Sequence, residues 1–354
     1  MVRTSFVSMT PLFSALACWC FPNRRFCAGL LAVFLAVATT PEDAQADSFP
    51  VLIQHQYGET TVQSEPSRIV SLSFIGHDFL LALGRPPHAL RKWFGPHPYG
   101  IWPWAQEALG EATPIVMQGE IDIEAIAAMQ PDLIVGQWSG MTEREYGLLS
   151  RIAPTVPPQS QYGDYGTPWQ EMLRTLGRAT GRLDQAEEII AGIDARFHDI
   201  RQAHPEWQGA SSVMVWAGQN GAYSARDIRG QFIQALGFEV PDAINTRASF
   251  NNYYVLIPPE DLSPIDVDAL IWLDAGGSVS RLERMPLRPT LRAYTEGREI
   301  YADLLLSAAL SHSSPLSLNY ALDRLVPLLE AAMDGDPATT VSSTAEAGLL
   351  PEGF

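Results

Sequence analysis

Between Leu183 and His204 the chain carries an unbroken helical pattern. Leu183, Ala186, Ile190, Ile193, Phe197 and Ile200 recur at steps of three and four residues, which makes one apolar face of an amphipathic helix. Asp184, Glu187, Glu188, Asp194, Arg196, Asp199, Arg201 and Gln202 fill the other faces, and Pro205 ends the pattern because it has no N–H to donate to the preceding turn. At about 1.5 Å per residue such a helix spans on the order of 33 Å, the width of a domain. It lies near the middle of the exported part of a 354-residue chain. There it either lies on the surface of one large domain or acts as a strut between two. The flanks favour the strut.

Each flank carries its own series of short buried strands and helices. A hairpin is predicted over Pro50-Val-Leu-Ile-Gln and Thr60-Thr-Val-Gln, turning at Tyr57-Gly58-Glu59. Apolar runs at Ile69–Leu72, Ala89-Leu90, Pro114-Ile-Val, Leu133–Gly136 and Ala153–Val156 read as strands, with helices over Gly76–Leu83, Asp122–Met129 and Glu143–Ser150. That alternation is a parallel doubly wound lobe. A helix over Trp169–Ala179 precedes the strut. After Pro205 the pattern restarts. Strands are predicted at Ser211–Trp216, Ala269–Leu273 and Glu299–Tyr301, and helices at Gln231–Leu236, Arg288–Tyr294 and Leu316–Met333. The fold class expected is α/β: two doubly wound α/β lobes joined by one long backbone helix, with a ligand cleft between the lobes. The divisions expected are a signal peptide over 1–46, an N-terminal lobe over 47–166, linking helices over 167–205, a C-terminal lobe over 206–335 and a flexible tail over 336–354.

The first 46 residues have the marks of an export leader. Arg24-Arg25 precede the apolar run Phe26–Ala38, and Ala44-Gln45-Ala46 fits a signal-peptidase site. The run is too short to span a bilayer. Cleavage near Ala46 would leave a protein that starts at Asp47 in the periplasm. All three cysteines, Cys18, Cys20 and Cys27, lie in the leader, so the remainder holds no disulfide or thiolate metal site. A lipid on Cys18, after Ala15-Leu16-Ala17, is the competing reading of this segment. Without the leader's three arginines and two acids, 20 basic and 38 acidic residues remain, a net charge of −18. A surface that acidic argues against nucleic acid or anionic lipid as partner.

An internal echo links the flanks. Glu124 stands eight residues before Asp132, which opens one buried strand, and Glu260 stands eight residues before Asp268, which opens another. The plain reading is that βαβ units repeat and acids favour helix starts. The functional reading is a pair of equivalent glutamates, one per lobe, presented to a two-fold partner.

The segments Pro66-Ser-Arg-Ile-Val-Ser-Leu72, Leu80-Leu-Ala-Leu-Gly84, Ile123-Glu-Ala-Ile-Ala-Ala-Met-Gln-Pro-Asp-Leu-Ile134, Ile152-Ala-Pro-Thr155, Ala269-Leu-Ile-Trp272 and Ser317-Leu-Asn-Tyr-Ala-Leu-Asp323, in this order and spacing, resemble the class III periplasmic binding proteins of ABC importers for ferric siderophores, haem and cobalamin. The resemblance runs over essentially the whole exported chain and is nearest the ferric-siderophore branch. It implies a shallow cleft between two helix-linked lobes, a ferric siderophore or similar chelate as ligand, no resident cofactor, and no catalysis. It also implies a dimeric inner-membrane ABC permease as partner, with Glu124 and Glu260 at the positions that dock onto permease arginines. The protein would act as a monomer. Arg85-Pro-Pro-His88 departs from the branch's usual pattern after the first helix, which bears on the cleft rim and on the ligand.

A ferric siderophore is polar at its metal-bound oxygens and apolar at its edges, so its cleft needs flat aromatic walls and a few directed donors. Trp93, Tyr99, Trp102 and Trp104 crowd one Gly- and Pro-broken loop and are the expected wall on the first lobe; local packing is the competing reading for each. Trp138 follows a strand at its carboxyl end, where open α/β sheets bind ligands, and Tyr165 lies in a Gly-rich hinge approach. On the second lobe Tyr223, Arg226 and Arg229 follow the strand at Val213–Trp216, and an arginine there can fork onto iron-bound oxygens. Tyr253, Tyr254 and Ser311-His312-Ser313 are placed on later loops. His77, His97 and His312 lack the spacing of a bare-metal site. No Gly-x-Ser-x-Gly elbow, P-loop or GxGxxG occurs. Haem, cobalamin or a bare metal as ligand, and a secreted hydrolase, are the alternatives.

Overall fold

The computed structural model describes residues 49–249 and 253–351. The leader and its cleavage site fall outside them. β1 (Val51–His55) and β2 (Gly58–Val62) form the expected antiparallel hairpin, with Gly58 at φ +119° supplying a turn that a side chain would strain. β3 (Ile69–Ser71), α1 (Gly76–Ala82), β4 (Ala89–Arg91), α2 (Gln106–Leu109), β5 (Ile115–Met117), α3 (Ile123–Ala128), β6 (Leu133–Val135), α4 (Glu143–Leu149) and β7 (Thr155–Val156) then build the first lobe. Its sheet runs β5-β4-β3-β6-β7, and every pairing is parallel. β3, β4 and β6 are buried at every position, as strands covered on both faces must be.

α5 (Trp169–Thr180) leads into α6 (Leu183–Ala203), the strut, 21 residues long. Ala186, Ile190, Ile193 and Phe197 of the predicted face are buried, while Leu183 and Ile200 at its two ends are half-buried. A Cβ on Gly177 would come within 2.8 Å of the Ala186 methyl, so the glycine lets α5 and α6 touch.

The second lobe holds β8 (Ser212–Trp216), β9 (Gly221–Tyr223), α7 (Ile228–Ala235), α8 (Asp242–Asn245), β10 (Tyr254–Leu256), β11 (Ala269–Leu273), α9 (Val279–Glu283), α10 (Arg292–Thr295), β12 (Glu299–Ala302), α11 (Leu304–His312), α12 (Pro315–Ala332) and α13 (Ser342–Glu346). Its sheet runs β10-β9-β8-β11-β12. β8, β11 and β12 are parallel, as expected, but β9 and β10 add an antiparallel pair at one edge. α12 packs on α1 of the first lobe and on α6. Arg196 of α6 fixes that crossing by donating to Asn319 Oδ1 and Asp323 Oδ1, each at 2.6 Å. Two helices therefore bind the lobes together, where the sequence suggested one. Among the described residues no helix is long and apolar enough to cross a membrane.

The internal echo has a structural basis. Asp132 accepts hydrogen bonds from the Ser67 amide and hydroxyl, both at 2.8 Å, and from the Arg68 amide at 2.7 Å. Asp268 accepts from the Ser211 amide at 2.9 Å and its hydroxyl at 2.7 Å. In each lobe the aspartate opening the second central strand thus fastens the residues that lead into the first. Burial opposes ionisation at both carboxyls, but the serine bonds, with the Arg68 amide at Asp132 and Arg292 at Asp268, outweigh it and hold them below the usual carboxylate range.

Over its described residues, 336–351, the tail is not frayed, contrary to the expectation for 336–354. Val341 and Leu349 are buried. Thr344 Oγ1 donates to the Glu299 carbonyl at 2.6 Å and accepts from the Tyr301 amide at 3.2 Å. Arg288, paired in the interior with Glu299 at 2.7 Å, donates to the Leu349 carbonyl at 2.6 Å. The segment has no helical period because it docks through single residues rather than through a face.

Replacing Asp268 with alanine should lower stability by about 1–2 kcal/mol, the scale for losing charge-assisted hydrogen bonds at a partly buried site. Asparagine, which keeps an acceptor, should cost less. Urea unfolding reads both; equal stability of all three proteins would mean that the clamp contributes nothing.

Candidate functional site

A cavity of about 420 Å³ opens between the lobes. Trp93 and Phe94 line it from the first lobe, and Trp216, Tyr223, Arg229, Leu273, Asp274 and Ser311 are among those lining it from the second. Trp216 and Leu273 are the last residues of β8 and β11, so the cleft lies at the carboxyl ends of parallel strands, where α/β sheets bind ligands. A hollow of similar size, about 430 Å³, lies under α13 between β12 and α12, inside the second lobe. Its one aromatic is Tyr301. The interlobe cleft has four, together with the lining arginine.

Arg229 is buried, and all three of its nitrogens are engaged. Nε and Nη2 grip both oxygens of Asp227 at 2.6 and 2.7 Å, Nη1 makes a long 3.3 Å bond to Ser311 Oγ, and the guanidinium lies 3.6 Å from the Tyr223 ring centre. Burial works against its charge, but Asp227 more than offsets this and raises its pKa further. Asp227 also caps α7 by accepting from the Arg229 amide at 2.9 Å. The fork expected to meet iron-bound oxygens is therefore largely closed by a carboxylate two residues upstream. Arg226 lies outside the cleft lining; it is exposed, with its guanidinium 5.5 Å from the Tyr253 ring.

The aromatic loop divides differently from the expectation. Trp93 lines the cleft. Trp102 is only 2% exposed, and it stacks on Trp104 at 5.3 Å with the planes 1° apart. A Cβ on Gly95, at φ +91°, would strike the Trp102 ring at 2.6 Å, so the glycine permits that burial. Trp104 faces α12, 5.9 Å from the Tyr320 ring, and Tyr99 points to solvent outside the lining. The loop folds back onto helices of both lobes, so Trp102 is core and Trp104 is half-buried against α12. Trp138 is buried behind Trp93 at 5.4 Å and donates its indole N–H to the Tyr165 carbonyl at 2.8 Å. The Tyr165 ring packs edge-on against Trp138 at 5.1 Å. Both support the wall rather than line the cleft.

Beside the cleft a polar cluster joins the lobes. Asp78 Oδ2 accepts from Trp104 Nε1 at 2.7 Å and from Ser314 Oγ at 2.8 Å. Ser314 is the N-cap of α12 and accepts from the Ser317 amide at 3.1 Å. Asp78 Oδ1 faces His77 Nε2 at 3.6 Å. The His312 ring lies 6.1 Å from His77 and 5.6 Å from Trp93, and its Nδ1 bonds the Ala308 carbonyl at 2.8 Å. Burial pushes His77 down to about 4; Asp78 opposes that shift and His312 adds to it. Burial lowers His312 as well. Residues 311–313 are thus not a loop but the end of α11 and its junction with α12. Among the described residues no three His, Cys, Asp or Glu side chains converge on a metal site.

The sequence reading did not single out Phe94, Trp216, Asp274, Leu304 or Ser307. The signal available was position, since Trp216 and Asp274 end or follow predicted strands just as Trp138 does.

Residues 69–303 match the profile of a family described as periplasmic binding protein. The ferric enterobactin-binding periplasmic protein FepB of Escherichia coli is 30% identical over 242 residues, 65% of this chain and 73% of that protein. The probable siderophore-binding lipoprotein YfiY of Bacillus subtilis is 29% identical over 194 residues, 54% of this chain and 57% of that one. Among solved structures, a periplasmic solute binding protein from Mycobacterium smegmatis superposes with TM-score 0.71 at 31% identity, covering 80% of this chain and 98% of that one. PiaA of Streptococcus pneumoniae, in complex with ferrichrome, gives 0.68 at 25% identity, covering 81% and 99%.

Trp93→Ala should weaken ligand binding by about 1–3 kcal/mol, the range for a buried aromatic anchor. Trp102→Ala should instead destabilise the fold by about 3–5 kcal/mol. Tryptophan-fluorescence titration and thermal unfolding separate the two, and the reverse assignment would remove Trp93 from the site. Stability should also depend on pH in one direction. His77 is held neutral when folded and titrates near its ordinary value when unfolded, so protons favour the unfolded chain. Stability is then lost as pH falls from about 6.5 towards about 4, on the order of 2 kcal/mol between pH 7 and pH 5. His77→Gln should flatten that slope; an unchanged slope would show that His77 is not the group responsible.

Proposed function

Because the chain belongs to the periplasmic binding protein family, we propose that it is the solute-binding component of an ABC importer, which captures a ferric siderophore in the periplasm and delivers it to a dimeric inner-membrane permease. The observation that carries this reading is the interlobe cleft: Trp93, Phe94, Trp216 and Tyr223 present aromatic surface around the Arg229 edge and the Ser311 hydroxyl. Such walls suit a chelate that is apolar outside and oxygen-rich at its metal. The relatives described as binding ferric enterobactin or holding ferrichrome support the same ligand class. Binding rather than catalysis is the activity, and the ferric chelate is cargo rather than a resident cofactor.

Glu124 and Glu260 are the proposed docking points. Both are exposed, Glu124 in the first turn of α3 and Glu260 in the turn after β10. Each glutamate stands eight residues before the aspartate that clamps its lobe's central strands, a repeat that suits a two-fold partner. Two helices tie the lobes together, so closure on ligand is small and the permease reads occupancy from modest motion.

Changing Glu124 and Glu260 together to alanine should leave chelate affinity unchanged and abolish uptake of radiolabelled ferric siderophore by cells at matched expression. The defect should appear as slower association with the permease, since rim charges act mainly on that rate. Normal uptake by the double variant would reduce the echo to a repeated strand clamp.

A further inference from the structure

We infer that the cleft selects an uncharged ferric chelate, of the tris-hydroxamate class, over triply anionic chelates such as ferric tris-catecholates; this rests on the reading that the cleft takes ferric chelates at all. Iron(III) held by three hydroxamate monoanions is neutral, whereas iron(III) held by three catecholate dianions keeps a triple negative charge. A cleft for the second kind must supply cations that are not already neutralised.

This cleft does not supply them. Among the described residues Arg229 is the one cation in its lining. Asp227 holds Arg229 through two short bonds, 2.6 and 2.7 Å, so the pair sums to no charge. Asp274, across the lining, adds a carboxylate that accepts from the Gly276 amide at 2.9 Å. The balance at the cleft is therefore negative. Residues 250–252, outside the described set, are Phe250, Asn251 and Asn252 and carry no charge. Arg91, the buried cation of the first lobe, keeps its charge but does not line the cleft: it gives Nε to the Gly119 carbonyl at 2.8 Å and Nη1 to the Ser139 carbonyl at 3.0 Å, beneath Phe74. The whole chain carries −17, so the long-range field also repels an anion.

The cleft still offers what a neutral iron centre needs. Arg229 Nη1 keeps donor capacity beyond its 3.3 Å bond to Ser311 Oγ. Trp93 and Trp216 offer flat surface on opposite lobes to the chelate's carbon framework. A neutralised guanidinium binds by direction rather than by net charge, which suits oxygens whose charge the metal has already cancelled.

The test is tryptophan-fluorescence titration of the exported protein with ferrichrome, a neutral chelate, and ferric enterobactin, a triply anionic one. The inference expects ferrichrome to bind at least about a hundredfold more tightly, as strong like-charge rejection allows. Equal or tighter binding of ferric enterobactin overturns it. If neither chelate nor any other ferric chelate quenches, the reading of the cleft as a chelate site fails, and the inference fails with it. Asp227→Asn keeps an oxygen to cap α7 but frees the charge of Arg229. It should raise ferric enterobactin affinity by about tenfold, the scale of one unit charge at close range, and change ferrichrome affinity far less. Asp274→Asn should act in the same direction and serves if the first variant does not fold. If both variants fold, bind ferrichrome and leave ferric enterobactin affinity unchanged, cleft charge does not set the selection.

Discussion

The fastening of the two lobes turns on one carboxylate. Asp78 sits on α1 of the first lobe, without exposure, and takes hydrogen bonds from Trp104 and from Ser314, the cap of α12. A buried carboxylate is costly unless hydrogen-bonded, so the two donors that meet its Oδ2 are constrained to converge at one point. That point is where the aromatic loop, the first lobe's leading helix and the second lobe's last long helix converge. The tryptophan stack, His77, His312 and the wall of the cleft are arranged around it. Asp78 ties α12 to the first lobe in this way, and Arg196 ties α12 to α6.

The cleft inherits its chemistry from this arrangement. Trp93 reaches it because Trp138 and Tyr165 stand behind and Trp102 fills the space below the loop. The second lobe contributes strand ends, which carry Trp216 and Asp274 to the rim without further devices. Arg229 is present but paired, so the site is an aromatic slot with one directed donor rather than a cationic well. That distinction follows from the local geometry of an N-cap: Asp227 accepts from the amide two residues on, and the side chain of the same residue folds back onto it.

The parts of the fold legible in the sequence were those with a period. The strut, the central strands and the echo of Glu124–Asp132 with Glu260–Asp268 are patterns, and each corresponds to an element or a bond. α11 was not legible because Leu304–His312 is apolar on nearly every face and closes with Ser311 and His312; a helix buried all round has no amphipathic signature. β9 and β10, three residues each, are too short to show alternation. Of the expected ligand-binding residues, Trp93, Tyr223 and Arg229 line the interlobe cleft, whereas Tyr99, Trp102, Trp104, Trp138, Tyr165 and Arg226 do not. Composition marks a loop as aromatic, but which of its rings face a cavity depends on what the loop folds onto. Here that partner, α12, lies more than two hundred residues further along the chain.

The most direct test of the account is the position of iron. Crystals of the exported protein grown with ferrichrome, measured at the iron absorption edge, would give an anomalous peak for the metal. The account places that peak in the interlobe cleft, between Trp93 and Trp216 and within reach of the Arg229–Ser311 edge. A peak in the hollow under α13, or a fully occupied chelate bound anywhere outside the cleft, would contradict it.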